Sequence, residues 1–237
     1  MSAMFEELDY QPTDIGAISL RRRNDLRLGQ DVLEIKLGDE FLMTSAFTAS
    51  EIALAKLGVG ACHGERLDVV VGGLGLGYTA QEVLASARVC RLDVVEYLQP
   101  VIEWHETGLL PLGPVLTSDA RCRLIKGDFF ALSADPVGYD PNQPGRAHDA
   151  ILVDIDHSPE ALLDARSSSF YQPDGLRSVL RHLKPGGIFG LWSNERPDAR
   201  FTERLTEVFA QAWAEEVVFD NPLQDRPFTQ TVYLARA

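Results

Sequence analysis

A valine run that ends in glycines, Leu67-Asp68-Val69-Val70-Val71-Gly72-Gly73-Leu74-Gly75-Leu76-Gly77, constrains this chain more than any other stretch. It reads as a strand, a tight turn and the start of a helix at Tyr78. Unbroken β-branched residues are the pattern of a strand buried on both faces, which calls for helices on either side of its sheet. Gly73, Gly75 and Gly77 remove Cβ atoms where the chain must turn and let a ligand meet the backbone. The free N–H groups of the following helix would point at that ligand. About twenty residues past the turn, Arg91-Leu92-Asp93-Val94-Val95-Glu96 reads as a second strand ending in an acid. A carboxylate there suits the two hydroxyls of a ribose.

The glycine spacing bears on which nucleotide. Dinucleotide binders favour G-x-G-x-x-G, whereas Gly73, Gly75 and Gly77 fall G-x-G-x-G. That loop resembles the class I S-adenosylmethionine (SAM) binders, which carry a nucleoside without a pyrophosphate. The rest of the chain alternates in the same sense. Cys122–Lys126, Ala150–Asp154 and Ile188–Trp192 read as further strands, with helices over 101–110, 173–183 and 198–213 between or after them. Glu216–Phe219 and Thr231–Ala235 read as a closing antiparallel pair. The spacing predicts an α/β fold, a seven-stranded class I SAM-methyltransferase-like (Rossmann-like) sheet covered on both sides. Ahead of it, residues 1–14 read as a loose arm, with strands over 17–20, 32–37 and 40–43. Arg21-Arg22-Arg23 reads as a solvated strand end. A helix over 47–57 is closed by Gly58 and Gly60. The expected division is an arm and small β unit over 1–46, then the nucleoside-binding domain over 47–237.

Composition excludes more than it assigns. Hydrophobic residues make up 45% of the 237, enough for a sizeable core. Lys and Arg number 22 against 35 Asp and Glu, a net charge of −13, which makes nucleic acid a poor partner and suits a cationic one. Cys62, Cys90 and Cys122 are widely spaced and form no C-x-x-C, so neither a disulfide framework nor zinc is indicated. The acidic N-terminus lacks the apolar run of a signal peptide, and no stretch approaches a membrane span, so a cytoplasmic protein is expected.

In an open α/β sheet the ligand sits beyond the carboxyl ends of the strands. Gly73–Gly77, Glu96, Asp128 and Asp154 are expected to converge there. Asp128 either accepts from an adenine amino group, with Phe129 beside it, or caps local N–H groups. Val153-Asp154-Ile155-Asp156-His157-Ser158-Pro159 places two carboxylates and an imidazole at the mouth of the site. Such a cluster binds a cation, takes a proton from an amine or holds a metal. Metal is the weakest of the three, because nothing places a further ligand nearby. His157 is either a hydrogen-bonded loop side chain or a catalytic group. Tyr171 is expected to wall the same pocket, and Phe170 to pack in the core.

Gly72-Gly73 with its loop, Val95-Glu96, Gly127-Asp128, Ile151–Asp154, Phe170-Tyr171 and Leu183-Lys184-Pro185-Gly186-Gly187 fall in an order and spacing that resembles the spermidine synthase family. The resemblance covers roughly residues 15–237 and includes the 47–57 helix with its Glu51. It implies aminopropyl transfer from decarboxylated SAM to a polyamine, with release of methylthioadenosine. It also implies a dimer. By resemblance Glu96 holds the ribose, Asp128 the adenine, and Asp154 deprotonates the amine. Three features depart from that family. Its loop aspartate for the aminopropyl ammonium is Gly75 here. Its Asp-x-x-Asp-Pro loop is one residue longer here, so the second acid is either Asp156 in a shifted place, the candidate ammonium anchor, or absent. Its Tyr-Gln or Tyr-His before the helix glutamate is Ala49-Ser50. The nucleoside half of the site reads as kept and the polyamine half as altered. Two other readings stay open on the same scaffold. One is a SAM-dependent methyltransferase on a small molecule, yielding S-adenosylhomocysteine. The other is a nucleoside-binding homologue without turnover.

Overall fold

The computed structural model describes residues 4–222, 224 and 226–237. Its N-terminal part is a four-stranded antiparallel sheet of β1 (Phe5–Thr13), β2 (Gly16–Asp25), β3 (Gln30–Leu37) and β4 (Glu40–Thr44). The expected loose arm is therefore an ordered edge strand from Phe5 on, and residues 1–3 lie outside the described residues. β1 carries little apolar alternation because cross-strand charge holds it instead. Glu6 meets Arg22 at 2.5 Å and Glu7 meets Arg21 at 3.5 Å, while Arg23 turns to Glu34 at 2.8 Å. The arginine triplet thus lies inside β2 rather than at a solvated end.

α1 (Ala49–Ala61) leads into the main sheet. It runs through Gly58 and Gly60, which do not end it. A Cβ on Gly58 would stand 2.5 Å from a Leu152 methyl, so this glycine lets the helix lie close on the sheet. There follow β5 (Leu67–Gly72), α2 (Tyr78–Ala85), β6 (Val89–Glu96), α3 (Gln99–Glu106), α4 (Gly113–Ser118), β7 (Cys122–Lys126), α5 (Phe129–Ala134) and β8 (His148–Val153). A 3-10 helix (Ala165–Tyr171), α6 (Pro173–Leu180), β9 (Leu183–Ser193), α7 (Ala199–Thr206), β10 (Gln211–Asn221) and β11 (Arg226–Arg236) complete the chain. The helix expected over 198–213 stops at Thr206. Phe209 then drops into the core and stacks on Phe189 at 5.6 Å, and Trp213 already belongs to β10.

The seven strands run in the order β10-β11-β9-β8-β5-β6-β7, with β5 to β9 parallel and β10 and β11 as an antiparallel closing hairpin. Val69, Val70 and Val71 are fully buried, as a two-sided strand requires. One face packs under α1, α2 and α3 through Leu54, Val83, Leu92 and Ile102, and the N-terminal sheet adds Ile18, Leu20 and Ile35 to that core. The other face packs under α5, α6 and α7 in an aromatic core of Phe129, Tyr139, Phe170, Phe189 and Phe201. Among the described residues no helix is long and apolar enough to cross a membrane.

Candidate active site

The carboxyl ends of β5, β6 and β8, the turn after β7 and the far end of β9 open on one cavity of about 360 Å³. Ile15, Ile35, Leu37, Phe41, Leu42 and Met43 of the N-terminal sheet and its first turn cover it. The two sheets therefore enclose the site between them.

The glycine loop shapes one end. Gly73 adopts φ +93°, and a Cβ there would fall 2.1 Å from the Asp154 carbonyl oxygen. Gly75 adopts φ +47°, with the Met43 sulfur 2.4 Å from where its Cβ would stand. The same sulfur accepts the Leu76 N–H at 3.1 Å. Gly77 differs from its expected role. It does not line the cavity, and a Cβ on it would meet His105 and Leu116 at 2.9 Å, so it serves the packing of α3 and α4. Glu96 lies at the end of β6 and is almost wholly buried. One carboxylate oxygen accepts the Leu98 N–H at 2.7 Å and the other the Leu74 N–H at 3.0 Å. It thereby holds the loop, with the Gly75 N–H as a third backbone donor, and its two oxygens keep some acceptor capacity. Burial raises its pKa above the ordinary carboxylate value, and the backbone donors oppose that rise. Asp128 follows β7 and caps α5 through one oxygen, which accepts from Phe130 and Ala131; its second oxygen has no partner among the described residues. Phe129 lies directly beneath Gly72, where a Cβ would stand 2.6 Å from its ring, and it forms part of the cavity wall.

Asp154 occupies the middle of the cavity edge, just past β8. Its carboxylate accepts from Thr79 Oγ1 at 2.6 Å. Burial pushes its pKa up to about 6, against the Thr79 hydrogen bond. Glu51 lines the same cavity from the first turn of α1 and accepts from Ser50 Oγ at 2.7 Å. Burial, and then the charge of Asp154, push it up to about 7. Neither acid is paired with a cation among the described residues. Two such groups in one cavity resist carrying two charges near neutral pH and retain a proton between them. Glu51 was legible as part of a helix but not as a site residue. Its signal is its phase: Glu51, Leu54, Ala55 and Gly58 fall at i, i+3, i+4 and i+7 on the buried face of α1.

Asp156 and Tyr171 differ most from their expected roles. One Asp156 oxygen accepts the Leu163 N–H at 2.7 Å, and the other accepts from Ser167 at 3.1 Å and Tyr171 at 2.7 Å. With those donors in place it secures the 156–171 segment and is not a free ammonium anchor. Tyr171 is buried behind it, does not line the cavity and packs on Phe170 and Phe201. Phe170 packs in the core, as its type suggests. His157 meets Glu40 of β4 at 3.1 Å and so joins the two sheets at the rim. Beyond Asp154 the edge continues into Trp192, Asn194, Phe219, Phe228 and Gln230, with Phe47 opposite. None of these stood out in the sequence, because a strand-end aromatic reads as core until the closing hairpin is placed. Among the described residues no group of three or more His, Cys, Asp or Glu side chains is arranged to hold a metal ion.

No family model matches the chain. Polyamine aminopropyltransferase 2 of Pseudomonas aeruginosa is 30% identical to it over 160 residues, which is 63% of this chain and 41% of that protein. The chain therefore spans about two fifths of the length of that curated relative. A spermidine synthase in complex with the transition state analogue AdoDATO shares its fold with a TM-score of 0.70 at 18% identity, over 97% of this chain and 72% of the other. The spermidine synthase of Thermotoga maritima does so with a TM-score of 0.72, also at 18% identity and with the same coverage. The resemblance read from the motifs is thus found in sequence and in fold, and the methyltransferase-like sheet is the observed architecture.

Proposed function

We propose that this chain is a transferase that moves an aminopropyl group from decarboxylated SAM to an amine, releasing methylthioadenosine. One observation carries the reading: buried Glu51 and half-buried Asp154, two desolvated acids without a cationic partner among the described residues, face the cavity beside the glycine loop. The likeness to a polyamine aminopropyltransferase and to spermidine synthases supports it. The Gly73–Gly75 backbone, the remaining acceptor capacity of Glu96 and the Asp128 oxygen without a partner among the described residues suit a nucleoside in the β5–β7 half. The bound sulfonium supplies an activated carbon. Asp154 takes a proton from the ammonium form of the acceptor. The freed nitrogen lone pair forms the new N–C bond as the C–S bond breaks, and that electron pair stays on sulfur as a neutral thioether. Glu51, protonated beside ionised Asp154, keeps the charge at the centre low and receives or returns a proton through it.

A methyltransferase on intact SAM is the second reading. Gly75 favours it, since the loop lacks the carboxylate that would repel the one on SAM. The purified protein, incubated with each nucleoside and an amine panel, separates the two. Methylthioadenosine with a transferred propylamine supports the first, and S-adenosylhomocysteine the second. Nucleoside binding without either product leaves a non-catalytic homologue. A homodimer and a cytoplasmic location belong to the same proposal, and sizing chromatography checks the first of these.

A further inference from the structure

The charge along the cavity edge is uneven, and its unevenness follows from the strand order. From β7 to β10 the edge presents Asp128, Glu96, the glycine loop, Asp154, then Trp192 and Asn194, then Gln230 and Phe228, then Phe219. Among the described residues, every carboxylate lining the cavity comes from α1, from β6 and β7 with the turns after them, or from the segment after β8, and none comes from β9, β10 or β11. Of those acids, Glu96 and Asp128 fall in the nucleoside half, and Asp156 is occupied by Leu163, Ser167 and Tyr171. Asp164 is paired with Arg166 at 2.5 Å. Glu51 and Asp154 remain, and together they retain a proton near neutral pH. The centre therefore offers about one negative charge to a ligand.

The far end is aromatic. Phe219 and Phe228 are directly opposed across the closing hairpin, 5.8 Å apart, and Phe47 packs on Phe219 at 6.0 Å. The polar groups there are neutral: Gln230 donates to Asn194 at 2.8 Å. The buried Trp192 indole N–H has no partner among the described residues, and an N–H satisfies an oxygen but not an ammonium. A ligand with a second ammonium at this end would surrender its hydration with no anion among the described lining residues to meet it.

We propose that the acceptor is an amine with a single cationic nitrogen on an apolar, aromatic body, held at Glu51 and Asp154 by its nitrogen and at Phe47, Phe219 and Phe228 by its ring. This rests on the transfer reading for its chemistry but not for its binding, so the two are tested apart. Calorimetry with methylthioadenosine present and absent compares phenethylamine, putrescine and spermidine. Phenethylamine is expected to bind at least about tenfold more tightly than either polyamine, a difference of about 1.4 kcal/mol. Equal or tighter binding of putrescine or spermidine would overturn the proposal. Methylthioadenosine release from decarboxylated SAM is then followed with the same amines. If phenethylamine binds best and no amine gives product, the acceptor class stands and the transfer reading falls. If a diamine is the preferred substrate, transfer stands and the acceptor class falls. Phe228→Glu adds the missing carboxylate and should shift the ranking toward putrescine by about tenfold or more, with folding checked by circular dichroism. An unchanged ranking in the folded variant would mean that the aromatic end does not touch the acceptor.

Discussion

Glu51 and Asp154 are two acids in a space that tolerates one charge, and both chemistry and stability respond to that. Asp154→Asn should cut turnover about 10²–10⁴-fold, the range for a lost general base, while methylthioadenosine affinity holds. Full activity in that variant would end the mechanism proposed above. Glu51 gives a prediction with a definite pH sign. Its folded pKa is raised from 4.5 to about 7, so the folded state binds the proton more tightly than the unfolded chain does. The stability this contributes is complete below the unfolded value and is lost as pH rises through the folded one. Glu51→Gln stays neutral at every pH and can still accept from Ser50. It should match the parent near pH 4.5 and exceed it above about pH 7, by at most about 3 kcal/mol. Thermal melts across that range check this, and a gap independent of pH would mean that Glu51 is not buried as an acid. At this scale the placement of Glu96 and Asp154 at the cavity was legible, because one ends β6 and the other directly follows β8. It was not legible at Asp156, because a loop acid shows nothing of the three donors that the folded 163–171 segment brings to it.

α1 shows how an element can be recognised and still misread. Two glycines in an apolar helix look like its end, yet the helix passes through both. Gly58 is needed against the sheet: Leu152 is pinned between it and Gly190, where a Cβ would stand 2.8 Å from the same methyl. Gly58→Ala should therefore destabilise by about 1–3 kcal/mol through overpacking, despite alanine's better helix propensity. Gly60 has nothing within 4 Å of its Cβ position, so Gly60→Ala should stabilise by about 0.5–1 kcal/mol. Opposite signs in denaturant unfolding are the expected result; a shared sign would mean that propensity, not packing, governs this helix. The same contrast explains the other misread elements. The five parallel strands were legible because burial on both faces writes itself as apolar runs. β1 was not, because an edge strand held by Glu6, Glu7 and Asp9 carries charge where a strand pattern needs apolar residues. The short α4 was hidden in a stretch of turn-forming residues around Pro111 and Pro114.

At the scale of the whole molecule, what could not be read locally is that the N-terminal sheet roofs the site. Which faces meet is set by contacts distant in sequence, such as Trp104 donating to Asp9 at 2.6 Å, Tyr97 to Asp14, and His157 with Glu40 at 3.1 Å. That roof encloses the cavity with apolar side chains in a chain of net charge −13. Its lining holds Glu51, Glu96, Asp128, Asp154, Asp156 and Asp164 against Arg166 and His157. A cleft lined mostly by one sign of charge focuses its field outward and concentrates ligands of the opposite sign. An ammonium acceptor should feel that field, whereas methylthioadenosine, which is uncharged, should not. Raising the ionic strength from about 0.01 M to about 0.15 M shortens the Debye length from about 30 Å to about 8 Å. That removes the contribution of surface acids but spares the contacts of Glu51 and Asp154 inside. The kcat/KM for the amine should therefore fall by roughly tenfold over that range, with kcat itself held. Methylthioadenosine affinity should stay within roughly twofold. Equal losses for both ligands would point to a general weakening of the fold. No loss for the amine would show that the net charge of the chain does not reach its site.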